Sequence, residues 1–325
     1  MQKLAIHAMG TRFELVLADD LSPALLRAAG EAALAEIEDA HQRLSAFAKD
    51  SVIAHLNRAA SLGPDAGPIP IDGETHELLV RCAELVKLTD GAFDPGLGQR
   101  MQQLGFRDGA ASDAPFGGGW RGAVEVNPSA PQVHFLRAGV AIDLGGVAKG
   151  YALDLAAQAL REAGVQRALL HGGTSTVLAL DPPPRQDAWR VALGPEQDAP
   201  IAHLANAAFS LSDLGGRTAG SADAPESHVL DPRTGHSARG ARRAAIAVPL
   251  AHGDALAADA YSTAALVAGQ DLALPNQVEL LTLGFTKSER HHAIPAGADP
   301  IIRLATPASK TSAQQRCTVP TDVPY

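Results

Sequence analysis

Asp259 and Thr263, four residues apart in the run ADAYSTA, form an oxygen pair suited to a hard cation. On a helix that spacing stacks both side chains on one face. Mg2+ takes few protein ligands and keeps water or substrate phosphates on its other positions, so a carboxylate and a hydroxyl are a sufficient protein share. A helix-start aspartate and a threonine bonded back to helix carbonyls would explain the same residues more plainly. A second group is the run AIDLGGVAKGYALD, residues 141–154. There a strand ends on Asp143, two glycines allow close backbone approach, and a helix begins beside Lys149. Helix N-termini and bare amides favour phosphate oxygens, and a lysine adds a point charge. The run lacks the glycine spacing of a dinucleotide fold and the Gly-Lys-Ser/Thr ending of a phosphate loop, and an ordinary strand-to-helix turn would also read this way. Third, His228 precedes Asp231-Pro232-Arg233-Thr234-Gly235, a turn by composition. A histidine there could act as a general base near neutral pH. His171 to Ser175, Met9 to Thr11 and Gly91 to Pro95 lie at element edges, and each alone reads as a turn.

These groups need elements to carry them. Phe13 to Leu17 alternates as a strand does. A helical stretch over about Pro23 to Arg58 opens on a first-turn proline and is interrupted between Ser45 and Ser51. Thr75 to Thr89 is amphipathic, with Leu78, Leu79, Cys82, Leu85 and Val86 on one face and Gly91 closing it. Residues 60–72 and 108–122 are Gly/Pro-rich loops. Val133 to Leu136 and Val140 to Asp143 suggest a hairpin-like pair. A helix follows from about Ala148 to Ala163, then strands at 168–170, 176–180 and 189–193. A strand near 244–248, a helix over about 256–267 and a mostly polar tail complete the chain. Strands in meanders with helices among them indicate an α+β fold of mixed or antiparallel sheets with flanking helices. A single unit over residues 1–305, followed by a polar tail at 306–325, is expected.

The chain is 325 residues long with 46% hydrophobic and 19% charged residues, which excludes wholesale disorder. Aromatics make up only 4%, so the core must be built from Ala, Leu and Val. A formal net charge of −9 argues against a nucleic-acid surface while leaving room for a local basic pocket. Cys82 and Cys317 make neither a disulfide framework nor a metal cluster, and Cys82 is expected to be a buried apolar residue. No apolar run approaches the length of about 20 residues that spans a bilayer, and the first residues carry no signal-peptide run or lipid-attachment cysteine. A cytoplasmic location is expected, or a periplasmic one if an export segment has been removed.

Taken in order, the runs MGTRFEL, LSAFAKDSVIAHLN, GAFDPGLG, AIDLGGVAKGYALD, HGGTS, SHVLDPRTG and ADAYSTA resemble the ApbE family, the FAD:protein FMN transferases. The resemblance extends from Met9 to about Gly269. It implies Mg2+-dependent cleavage of the FAD pyrophosphate, transfer of FMN to a threonine hydroxyl of an acceptor flavoprotein, and release of AMP. It implies FAD in a cleft between two lobes, with Asp259, Thr263 and the Gly146 carbonyl as metal ligands. Lys149 would face phosphate oxygens, Asp143 would anchor the ligand, and His228 would deprotonate the acceptor threonine. Met9, Phe47, Ala92, Phe93, Asp94 and Val229 would line the FAD pocket. The chain departs from the family where Phe47 replaces a frequent Tyr, Gly96 a usual Thr after Asp-Pro, and Tyr261 a usual Leu. It also reads His171-Gly172-Gly173-Thr174 where Asn-Ala-Gly-Gly-Asp is common. An FAD pyrophosphatase using water in place of threonine, and a non-catalytic flavin carrier, share the same pocket; the intact Asp259/Thr263 pair speaks against the carrier.

Overall fold

The computed structural model describes residues 1–46, 48–107, 115–192, 201–221, 224–283 and 290–303. Phe47, residues 108–114 of the second expected loop, and the tail 306–325 with Cys317 lie outside the described residues. Eight strands form one antiparallel sheet in which spatial order follows chain order: Gln2–Ala8, Thr11–Leu17, Ala168–Gly172, Thr176–Ala179, Ala207–Asp213, Arg243–Pro249, Glu279–Leu283 and Arg290–Ala293. Helices α1 (Pro23–Leu44), α2 (Val52–Ala60), α3 (Gly73–Leu88), α4 (Gly98–Gln103), α5 (Ala148–Glu162) and α6 (Ala255–Ala268) complete the main elements. The α+β expectation holds, with antiparallel pairing throughout the named strands.

Period-two alternation assigns the two faces of the sheet. Phe13, Leu15 and Leu17 join one core cluster with residues of α1, α5 and α6, while Val16 between them joins a second cluster on the other face. That second face is covered by a three-stranded sheet, Trp189–Ala192, Ile201–Leu204 and Ile302–Arg303. Burial on both faces explains why Ala168–Gly172 is buried at every position. Cys82 is fully buried in the first cluster, and its apolar surroundings push its thiol up to about 12.

Helix α6 is the inner helix of that cluster. Only Thr263 and Ala268 of its 14 residues escape full burial. Its alanine-rich sequence lets neighbours approach closely, which is how a core with few aromatics is filled. Gly150 of α5 makes the tightest approach: a Cβ there would stand 2.2 Å from the Ala255 carbonyl oxygen.

The expected interruption between Ser45 and Ser51 separates α1 from α2, which starts on Ser51, whose Oγ accepts from the Ala54 N–H at 2.9 Å. The expected hairpin of 133–136 with 140–143 is a correction. Gln132–Phe135 pairs instead with Val124–Val126 and Ile69–Pro70, and Ala141 makes a single parallel bridge to Leu97. The backbone of 142–143 is engaged elsewhere. The Ile142 N–H donates to Asn57 Oδ1 at 2.6 Å, its C=O accepts from Asn57 Nδ2 at 2.9 Å, and the Asp143 N–H donates to Pro95 O at 2.7 Å. Strand Gln2–Ala8, which the sequence reading left unassigned, pairs along its whole length with Thr11–Leu17.

The α5–α6 contact yields a direct test. Gly150→Ala should destabilise the fold by about 2 kcal/mol, the scale of overpacking a tight core, because the clash is with backbone. Urea unfolding with an unchanged midpoint would contradict the packing described.

Candidate functional site

The site is built where the N-terminal ends of α5 and α6 meet the sheet. Asp259 is 3% exposed, yet its carboxylate is well supplied with donors. Oδ2 accepts the Gly150 N–H at 2.8 Å, and Oδ1 accepts the hydroxyls of Thr176 and Ser210, each at 2.7 Å. Thr263, one turn along, stands with Oγ1 3.4 Å from where a Cβ on Gly146 would lie, and Phe93 Cε2 is equally close to that point. The structure therefore brings Gly146, Thr263 and Phe93 together and places Asp259 on the same helical face as Thr263. Among the described residues no three His, Cys, Asp or Glu side chains gather into a metal-binding group. The side-chain oxygen donors present are one carboxylate and one hydroxyl, with the backbone of Gly146 against Thr263. Such hard oxygens fit Mg2+ and leave its remaining positions to water or phosphate.

The 143–150 loop is fixed from several directions. Asp143 is paired with Arg107 through Nε at 2.6 Å and Nη2 at 3.1 Å, and also accepts the Gly145 N–H at 2.8 Å. The two side chains are 10% and 14% exposed, so this bidentate pair is shielded from solvent. Lys149 is half-buried in the first turn of α5, a helix whose N-cap Val147 offers no side-chain acceptor. A side chain on Gly172 would meet the Lys149 Cβ at 3.4 Å, so the HGGTS turn lies against it.

His228 is held by Arg217, whose carbonyl accepts the His228 N–H at 3.1 Å and lies 3.2 Å from Nδ1. A carbonyl can only accept, so this contact puts the ring proton on Nδ1 and leaves Nε2 as the free lone pair. Burial, followed by the charges of Arg217, Lys149 and Arg107, lowers the ring below the ordinary histidine value. Those charges also place His228 in the same field as Lys149 and the Arg107–Asp143 pair.

The remaining expected residues are more dispersed in role. Met9 and Gly10 both have positive φ, at 51° and 71°, as a two-residue hairpin turn requires. The Met9 N–H donates to His41 Nδ1 of α1 at 3.3 Å. Ala92 is half-buried and Phe93 is buried. Asp94 turns its carboxylate to backbone: Oδ1 accepts from Gly96 at 2.7 Å and from Trp120 at 2.8 Å. Burial raises its pKa, opposed by those bonds. Val229 is half-buried, its N–H reaching Ser227 Oγ at 3.4 Å and its carbonyl accepting from Ala238 at 3.0 Å.

The geometry adds residues that the motif reading did not single out. Asn57 and Asp154 lie inside runs already noted, without a role. Asn57 clamps the Ile142 backbone, and Asp154 accepts from the Ala255 and Leu256 N–H groups at 2.9 Å each, holding the start of α6. Burial, and then the neighbouring Asp254 charge, push Asp154 up to about 8. Thr176 and Ser210 are 83 and 49 residues from Asp259, and no local spacing connects them.

The ApbE family model matches residues 9–280. The chain belongs to the ApbE family. A FAD:protein FMN transferase of Rhodobacter capsulatus is 28% identical over 228 residues, which cover 66% of this chain and 42% of that protein. The chain thus spans well under half of that relative's length. A FAD:protein FMN transferase of Haemophilus influenzae is 23% identical over 294 residues, covering 83% of this chain and 82% of the relative. Among solved structures, the ApbE protein of Thermotoga maritima superposes with a TM-score of 0.74 at 28% identity, covering 86% of this chain and 93% of the other. ApbE membership and the antiparallel α+β architecture accord with the resemblance read from the motifs. No helix among the described residues is long and apolar enough to cross a membrane.

The environment of His228 sets its titration. The ring should titrate with a midpoint below the ordinary 6.5 when followed by NMR. A midpoint above that value would contradict the burial and cationic surroundings described.

Proposed function

We propose that this protein transfers the FMN moiety of FAD to a threonine hydroxyl of an acceptor flavoprotein, with release of AMP and dependence on Mg2+. The observation that carries the reading is the pairing of buried Asp259 with Thr263 beside Gly146, next to a lysine-bearing helix start. The relatives named FAD:protein FMN transferase support the reaction class.

Phosphoryl chemistry of this kind needs charge neutralisation and alignment more than a reactive side chain. Asp259, Thr263 and the Gly146 carbonyl would hold Mg2+, which supplies positive charge against the pyrophosphate oxygens. Lys149 adds a second cation on the same side, and the uncapped start of α5 offers partial positive charge. The Arg107–Asp143 pair and Asn57 keep the 141–146 loop in place so that Gly146 is presented to Thr263. Met9, Phe47, Ala92, Phe93, Asp94 and Val229 are assigned to the FAD pocket, Asp94 by shaping its loop.

His228 acts as the base. Its Nε2 takes the proton of the acceptor threonine hydroxyl as that oxygen bonds to the phosphorus of the FMN phosphate. The phosphorus–oxygen bond to the AMP half breaks, and AMP leaves with the electron pair. A threonine hydroxyl is a poor nucleophile near pH 7, so a positioned base is worth about 10²–10⁴-fold. The lowered ring pKa keeps Nε2 unprotonated at neutral pH. The rate should therefore be flat near neutrality and fall only as pH drops through a value below the usual histidine range.

The test combines the chain with FAD, Mg2+ and a flavoprotein bearing the target threonine, then measures AMP and the acceptor's mass. Wild type should release AMP and add one FMN unit, and chelation of the metal should stop both. Asp259→Ala should remove AMP release. His228→Ala should keep FAD affinity within a few-fold, lose flavinylation on the scale above, and lose the acid limb. AMP without an adduct would favour a hydrolase, and bound FAD without AMP a carrier; either result overturns the proposal.

A further inference from the structure

The hydroxyls around Asp259 constrain how it can meet a cation. An ionised carboxylate offers two oxygens with about four acceptor positions. Thr176 and Ser210 take two positions on Oδ1, and the Gly150 N–H takes one on Oδ2. One position is left, and it is on Oδ2. Thr176 and Ser210 are directly opposed across the pair of strands Thr176–Ala179 and Ala207–Asp213, so both hydroxyls approach Oδ1 from adjacent strands. All three side chains are buried, Thr176 at 0%, Ser210 at 1% and Asp259 at 3% exposure.

A carboxylate can only accept, so the single protons of Thr176 and Ser210 both point to Oδ1. Ser262 donates its hydroxyl to the Asp259 carbonyl at 3.0 Å, and its Oγ lies 3.0 Å from Ser210 Oγ and 2.8 Å from Ser212 Oγ.

We infer that Thr176 and Ser210 are positioning residues that saturate Oδ1 and so restrict Asp259 to single-oxygen binding of a divalent cation through Oδ2. This rests on the reading of the α5–α6 junction as a metal site. The consequence is selectivity. Mg2+ is small and demands near-octahedral geometry, whereas Ca2+ accepts carboxylates through both oxygens. A carboxylate held to one open oxygen favours the smaller ion, and releasing Oδ1 opens the arrangement that suits Ca2+.

The measurement is calorimetric titration of MgCl2 and, separately, CaCl2 into the full chain carrying FAD without acceptor. Wild type should bind Mg2+ more tightly than Ca2+. Thr176→Val and Ser210→Ala should each weaken Mg2+ by about 10-fold, the lower end for loss of a residue that orients a ligand, with Ca2+ changed less. The ratio of the two affinities is the readout that a merely structural role would not move. Thr176→Ser and Ser210→Thr retain a hydroxyl and should keep the wild-type ratio. Ser210→Ala removes one oxygen without adding bulk, so it tests the idea even if Thr176→Val fails to fold. Folded variants with wild-type affinities, or an equal loss for both ions, would overturn the inference. If Asp259→Ala binds Mg2+ as wild type does, the metal-site reading itself falls and takes the inference with it.

Discussion

A carboxylate buried to 3% exposure is costly unless its acceptor positions are filled, and Asp259 sets that requirement for the whole site. The requirement is met from three elements at once: the first turn of α5 and two adjacent strands. Each must arrive at the right height. Gly150 permits this, because any side chain there would hold α5 away from the start of α6. Asp154, four residues and about one turn further along α5, fixes the start of α6 by accepting two of its free N–H groups. The close α5–α6 contact and the geometry of Asp259 are thus one arrangement.

Strand Ala207–Asp213 connects that arrangement to the proposed base. Ser210 and Ser212 face α6, and Asp213 then pairs with Arg243 through Nε at 2.8 Å. The turn beyond it presents the Leu214 carbonyl to Ser227 Oγ at 3.1 Å and the Arg217 carbonyl to His228. The residues proposed for the metal side and for the base are accordingly held by one strand and its following turn. This rigidity suits a reaction whose rate depends on alignment, since small misplacements of reacting groups are expensive.

Candidate residues that fall within one local run are the ones a sequence can mark: Asp259 and Thr263 by helical spacing, Lys149 by its place after two glycines, and His228 by the turn that follows it. Helices were legible where periodicity is clear, as in α3, whose buried face holds the Leu78, Leu79, Cys82, Leu85 and Val86 read as one stripe. The hairpin expected at 133–143 failed because Asn57, some 85 residues away, takes both backbone groups of Ile142. Thr176 and Ser210 were hidden for the same reason. Their meaning depends on strand register, Ser210 opposite Thr176, and no periodicity within either strand reports which distant carboxylate they will meet. Asp94, which the resemblance assigns to the FAD pocket, has its carboxylate bonded to the backbone N–H groups of Gly96 and Trp120, and no local spacing reports the Trp120 partner.

The central claim is that the junction of α5 and α6 holds a divalent cation against Asp259. The most direct measurement is an anomalous difference map from crystals of the full chain grown with FAD and MnCl2, Mn2+ standing in for Mg2+. The account predicts a peak bounded by Asp259 Oδ2, Thr263 Oγ1 and the Gly146 carbonyl oxygen, with Oδ1 still bonded to Thr176 and Ser210. A peak held by other side chains, or bound FAD with no peak at this junction, would contradict it.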